Sequence, residues 1–244
     1  MQTISAAVIK GGTGKSTTIA ALAQAAADEG KRVLAIDLDP QGNLSAFIGA
    51  DQSAPGSYQL LHGAEGSHLI QGTAQGIDAI SASPDLATEK TTPGSARRLL
   101  KALEPIKEGY DLCVIDTPPQ MAEVTYNALF ASTGVIIPLE TDTSSIQGLY
   151  QIAEIIRQIQ RQAPALEITG VILTRYDSRP KLNRHLRGVI IDRCKELSIP
   201  FLAEIRPGIA IREAQATQQS IFTYAPKSKP AQDYKALFNM IQGV

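Results

Sequence analysis

Short runs of β-branched and apolar residues, at 3–9, 32–37, 76–81, 111–116, 134–139, 168–174 and 199–203, alternate with stretches of helical periodicity. That alternation leaves a chain few ways to fold. Each strand–helix–strand unit closes as a right-handed crossover, so the expected product is a doubly wound, mostly parallel α/β sheet flanked by helices. Several of the runs are unbroken apolar stretches, as strands covered on both faces require. The helical patterns lie at 16–29, closed by Gly30 as a left-handed cap, and at 144–161, where Ile146, Leu149, Ala153, Ile156 and Ile159 recur on one face. Others cover roughly 95–108, 121–131, 181–197, 209–219 and 230–242, while the Gly/Ser/Ala-rich segment 50–75 reads as short helices and loops. No linker composition or internal repeat divides the chain, so one domain over 1–244 is expected. A core of that size needs no covalent staple. Cys113 and Cys194 form no CxxC pair. No apolar run approaches the ~20 residues of a membrane span, and the N-terminus lacks a basic-then-apolar signal pattern, so a cytoplasmic protein is expected.

Chemistry enters between the first strand and the first helix, at Lys10, Gly11, Gly12, Thr13, Gly14, Lys15, Ser16 and Thr17. Glycines there let the backbone wrap closely around phosphates, and the helix N-terminus adds its positive dipole end. Lys15 is placed to reach the β- and γ-phosphates, and the Ser16 hydroxyl to ligate Mg²⁺. The competing explanation, a glycine-rich turn without a ligand, does not require the Gly-Lys-Ser ending.

Position 9 is isoleucine where a P-loop usually has its first glycine, and Lys10 follows it. In this the chain resembles the deviant Walker A group of P-loop NTPases, the ParA/MinD superfamily. Asp37-Leu38-Asp39-Pro40-Gln41-Gly42-Asn43 resembles the DxDPQGN segment of ParA and Soj partition ATPases, although Asp-Pro followed by Gly-Asn is also a good turn. Tyr110-Asp111-Leu112-Cys113-Val114-Ile115-Asp116-Thr117-Pro118-Pro119 resembles their Walker B strand. Thr125-Tyr126-Asn127-Ala128-Leu129, Thr174-Arg175-Tyr176-Asp177 and the section 209–226 extend the likeness over essentially the whole chain. The resemblance implies ATP and Mg²⁺ as cofactors and a homodimer that ATP closes. Lys10 then crosses to the partner's nucleotide, Lys15 acts with it, and Asp39 holds the attacking water. Asp116 joins the metal's shell, with Asp37 supporting it through a water. Arg175, Arg206 and Pro207 approach the adenine. One departure stands out: Soj-like chains commonly read Ile-Pro-Arg-Asn where this one reads Ile205-Arg206-Pro207-Gly208.

The formal net charge of −1 hides a segregation. Residues 1–170 carry eleven Lys and Arg against eighteen Asp and Glu, and residues 171–244 carry twelve against six. Within the basic part, Lys181, Arg184 and Arg187 recur at helical spacing as one stripe, which Arg212 could extend. Such a stripe neutralises duplex phosphates without reading bases. The implied function is therefore an ATP-dependent dimerising switch that binds DNA non-specifically on the nucleoid, with a ParB-type adaptor stimulating weak ATP hydrolysis to segregate a plasmid or chromosome. Because the first strand begins near Met1, no operator-reading domain is expected ahead of it. The alternative is a MinD-like membrane-associated ATPase, but the tail 233–244 holds one lysine and one aspartate and reads as a core-docking helix. An iron–sulfur carrier needs interfacial cysteines, for which Cys113 and Cys194 are badly placed. His62, His68 and His185 have no partner at metal-ligand spacing.

Overall fold

The computed structural model describes residues 1–90, 92 and 94–243. In chain order the elements are β1 (Gln2–Ala6), α1 (Lys15–Asp28), β2 (Val33–Asp37), α2 (Asn43–Ile48), α3 (Ser57–Leu61), β3 (Gln71–Gly72), β4 (Asp78–Ile80) and α4 (Arg98–Leu103). Then follow β5 (Leu112–Asp116), α5 (Glu123–Ala131), β6 (Gly134–Leu139), α6 (Thr143–Gln160), β7 (Glu167–Leu173), α7 (Lys181–Glu196), β8 (Phe201–Glu204), α8 (Ile209–Ala216), α9 (Ile221–Tyr224) and α10 (Lys229–Gln242). The sheet runs β3-β4-β2-β5-β1-β6-β7-β8. Every pairing is parallel except β3 with β4. The doubly wound α/β fold expected from the sequence is therefore the one observed.

Alternation along the strands sorts side chains to the two faces. Val33 and Ala35 of β2, with Leu112 and Val114 of β5, pack beneath α1 and α10. Leu34 and Ile36, with Cys113 and Ile115, pack on the other face against α4 and α5. Farther along that second face, Val135 and Ile137 of β6 meet Leu149, Ile152 and Ile156 of α6. Helix α1 lies tight under the sheet because Ala20, Ala21, Ala23, Ala25 and Ala26 are all buried and small. Gly30 adopts φ 76° and donates to the Ala27 carbonyl at 2.9 Å, the left-handed stop expected of it. Tyr234, Leu237 and Phe238 seat α10 in the core, as expected of the tail; Val244 lies outside the described residues.

Some boundaries move for identifiable reasons. The pattern over 95–108 breaks into a turn of 3₁₀ helix, α4 and a second 3₁₀ turn, since Pro105 has no N–H with which to continue the ladder of α4. The last strand starts at Phe201, after Pro200, which has no N–H for the ladder. Strand β3 was not expected: two residues carry no periodicity.

Three strands matter most for the site. β2, β5 and β1 lie side by side and parallel, so their C-terminal ends emerge at one edge, with Asp37 directly opposite Asp116. Open α/β sheets hold ligands at this edge.

Candidate functional site

The loop after β1 is shaped by Gly12 at φ 78° and Gly14 at φ 82°, conformations in which a side chain is strained. Gly14 also caps α1, which directs that helix's unpaired N–H groups and dipole into the loop. The Thr13 carbonyl accepts a 2.8 Å hydrogen bond from the Thr174 hydroxyl, tying the loop to the end of β7. The Thr13 hydroxyl is buried and has no partner. Lys15 is only 6% exposed. Burial pulls its pKa down, and the nearby Asp116 and Asp39 carboxylates pull it back up.

The three carboxylates differ in how they are satisfied. Asp37 accepts from the Ser45 amide and hydroxyl, both at 2.8 Å, and from the Asp39 amide at 3.1 Å. Its burial nevertheless outweighs those donors and lifts its pKa to about 6. Asp39 accepts from the Gln41 amide at 3.0 Å, so one of its oxygens shapes the turn. Asp116 is fully buried, and among the described residues neither of its oxygens makes a hydrogen bond of ordinary geometry, although the Ser16 hydroxyl lies near enough to favour its charged form. Burial, reinforced by the Asp37 charge, raises its pKa to about 8 against the opposing pull of Ser16 and Lys15. An ionisable group left in this state costs free energy unless a ligand completes it. Asp116 beside the Ser16 hydroxyl suits a hard divalent cation that takes its remaining ligands from phosphate and water. Among the described residues no cluster of three or more His, Cys, Asp or Glu side chains is arranged to hold a metal alone.

Beside the loop opens a cavity of about 510 Å³ lined by Gly14, Thr17, Arg175, Arg206, Pro207 and Arg212, among others. It brings the residues expected near the adenine to the mouth of the loop. Arg212, expected on a polyanion surface, is exposed and also lines this cavity. Tyr234 of α10 lines it too, which nothing in the sequence pattern indicated.

Lys10 is held within its own chain. Its ammonium donates to Asp142 at 2.7 Å and lies 3.9 Å from Glu140. Burial would raise Asp142, but donors from Lys10, Ser144 and Ser145 outweigh it and hold the carboxyl at about 2. Asp142 also caps α6 through the Ser145 amide at 2.8 Å. An aspartate ahead of a helical pattern with a donor three residues on is a cap signal that the sequence reading passed over. Arg175, at φ 51°, pairs with Glu140 and the Gly12 carbonyl, so the same acidic pair holds both flanks of the loop.

The expected basic stripe is not one free surface. Lys181 and Arg184 are exposed at the start of α7, with Arg184 donating to the Ser178 and Arg179 carbonyls at 2.7 and 2.6 Å. Arg187 pairs with Glu204 of β8 and lies over the Phe201 ring, with its side chain still 40% exposed.

Residues 1–168 match the family model described as an AAA domain. The chromosome-partitioning ATPase Soj of Thermus thermophilus is 33% identical over 93% of this chain and 90% of its own length. The chromosome partitioning protein ParA of Caulobacter vibrioides is 34% identical over 93% of this chain and 89% of its own. Among solved structures, cobyrinic acid a,c-diamide synthase from Mycobacterium smegmatis, with bound ADP and magnesium, superposes with a TM-score of 0.85. That match covers 99% of this chain and 94% of the other at 30% identity.

Proposed function

The chain belongs to the ParA/Soj family of P-loop ATPases, and from that premise we propose that it is a nucleotide switch for DNA partition. It binds ATP, closes into a homodimer, holds DNA without sequence preference, and is released when a ParB-type adaptor speeds hydrolysis. The observation that carries this reading is the edge where β1, β2 and β5 end together. There a buried lysine and a fully buried carboxylate, which makes no ordinary hydrogen bond among the described residues, lie at a glycine loop and a helix N-terminus.

In this reading the amides of Gly11, Gly12, Thr13 and Gly14, with those of Ser16 and Thr17, cradle the phosphates, and Lys15 supplies the counter-charge. Asp116 and Ser16 hold magnesium, which would neutralise charge on the phosphates. Asp37 fixes the start of α2 and the Asp39 turn, and so acts behind the metal shell through its three donors. Asp39 keeps one oxygen for the turn and uses the other to orient water. The base enters the cavity beside Arg175, Arg206, Pro207 and Arg212. Lys10 leaves Asp142 to reach the partner's nucleotide as the dimer closes. Lys181 and Arg184, exposed at the start of α7, are the residues assigned to DNA.

The membrane-switch alternative is disfavoured. No described helix is long and apolar enough to cross a membrane. Tyr234, Leu237 and Phe238 of α10, the apolar residues such an anchor would spend on lipid, are buried in the core. We place the protein in the cytoplasm, on the nucleoid.

ATP turnover measured alone, with duplex DNA, and with DNA plus a ParB-type protein tests the assignment. Slow turnover that DNA and adaptor together accelerate is expected. Turnover indifferent to both would leave an ATPase without the partition role.

A further inference from the structure

One wall of the base cavity, the segment from Ile205 to Gly208, is braced by the last described helix, α10. Ile205 is fastened to the neighbouring strand, its amide donating to the Leu173 carbonyl at 2.7 Å and its carbonyl accepting from Tyr176 at 2.9 Å. Beyond Ile205 the chain leaves the sheet, and α10 takes over. The Arg206 amide donates to Asp233 at 2.9 Å, and its guanidinium closes on the same carboxylate through Nε at 2.9 and 3.1 Å and through a terminal nitrogen at 2.6 Å. Two residues on, a Cβ at Gly208 would fall 2.9 Å from Pro230, so this turn seats directly on the start of α10. Tyr234 continues the wall, and its hydroxyl lies 3.3 Å from that of Thr18 in α1. Pro230, Asp233 and Tyr234 fall at i, i+3 and i+4, one face of one helical turn.

The geometry points to Asp233 as a positioning residue for the nucleotide base, acting through Arg206; this rests on the ATP-site reading above. Asp233 does not line the cavity, whereas Arg206 and Pro207 do. The Arg206 side chain is 43% exposed, and an ion pair so exposed adds little to overall stability. What the pair does instead is take rotamer freedom from a long side chain at the cavity wall. A wall ordered in advance costs the ligand less to bind. The same carboxylate also holds the backbone of the turn through the Arg206 amide, in a segment, Ile205 to Gly208, that departs from Soj-like chains.

The phosphate end of the site is separate from this wall, and that separation makes the inference testable. In the full-length protein, Asp233→Asn retains an acceptor of the same shape but loses the charge. Affinity for a fluorescent ATP analogue should fall about tenfold, the size expected when charge-assisted hydrogen bonds are weakened. Inorganic tripolyphosphate, which has no base, should compete as well as it does on the wild type. In turnover the loss should fall on KM. Arg206→Ala should show the same selective loss, and Asp233→Asn added to Arg206→Ala should worsen it no further. If Asp233→Asn fails to fold, Arg206→Ala alone carries the comparison of ATP with tripolyphosphate. Unchanged ATP affinity in either folded variant, or equal losses for ATP and tripolyphosphate, would overturn the positioning role. A folded wild type that binds no ATP would overturn the nucleotide reading itself.

Discussion

The edge of the sheet at Asp37 and Asp116 and the basic face at the start of α7 treat their charges in opposite ways. At the sheet edge, three aspartates and a lysine are buried together, and among the described residues Asp116 makes no hydrogen bond of ordinary geometry. On the basic face, the three arginines are satisfied by neighbouring acids or by the nearby backbone. Arg179 closes on Asp177, Arg184 on two carbonyls, and Arg187 on Glu204. An ionisable carboxylate buried in this way costs a sizeable part of the total stability unless something completes it, so it points to a ligand. Exposed ion pairs carry no such message, since they contribute about 0–1 kcal/mol and re-form easily. The first region therefore speaks for a ligand through its geometry, the second only through its charge.

The largest effect should come from Lys15→Ala, which removes the buried counter-charge and with it at least about a hundredfold of nucleotide affinity by calorimetry. Wild-type affinity in that variant would put the ligand elsewhere and break the contrast outright. On the basic face, Lys181→Glu with Arg184→Glu should weaken ATP-dependent DNA retention by about tenfold or more and flatten its salt dependence by roughly two in logarithmic slope. DNA retention that survives the change would move the polyanion surface off α7.

A stability effect of the opposite sign comes next. Metal-free, Asp37 titrates at about 6 and Asp116 at about 8, both above the ordinary 3.8. The folded state thus binds these protons more tightly than the unfolded chain, so the contribution of these two groups to stability is fully present below about 4 and is lost as pH rises toward 8. Thermal melts without metal should show that decline, and Asp116→Asn should reduce it and melt higher than wild type at pH 8 while losing turnover. A lower melting point for Asp116→Asn at that pH would mean that the carboxylate is satisfied in solution. The smallest effect belongs to Arg187→Ala, whose guanidinium is already engaged by Glu204. DNA retention should change less than twofold, and stability by about 0–1 kcal/mol in a denaturant melt.

Much of the first region was legible from sequence, because its chemistry is carried by backbone and by strand ends. Gly12, Gly14 and Lys15 sit where a glycine loop between strand and helix must put them, and apolar runs ending in Asp37 and Asp116 deliver carboxylates to one edge once the strands are parallel. What periodicity cannot reveal is pairing between distant side chains. Arg187 and Glu204 are seventeen residues apart, and Lys10 and Asp142 are 132 apart. Arg212 reads from sequence as a surface cation, and only the fold shows that it also lines the cavity beside the loop, while Asp233 reads as an ordinary charge on a terminal helix. Helix spacing placed Lys181, Arg184 and Arg187 near one another but not the acid that draws the third away.

Lys10 joins the two halves of the account, since it is paired within its own chain here and is required across the dimer in the proposed switch. Sedimentation of Asp39→Ala with ATP and magnesium, in the presence and absence of Lys10→Ala, tests that requirement most directly. Asp39→Ala should accumulate as a dimer, because closure proceeds and hydrolysis does not, and the double variant should bind ATP yet remain monomeric. A monomer in the first case, or an undiminished dimer in the second, would contradict the switch.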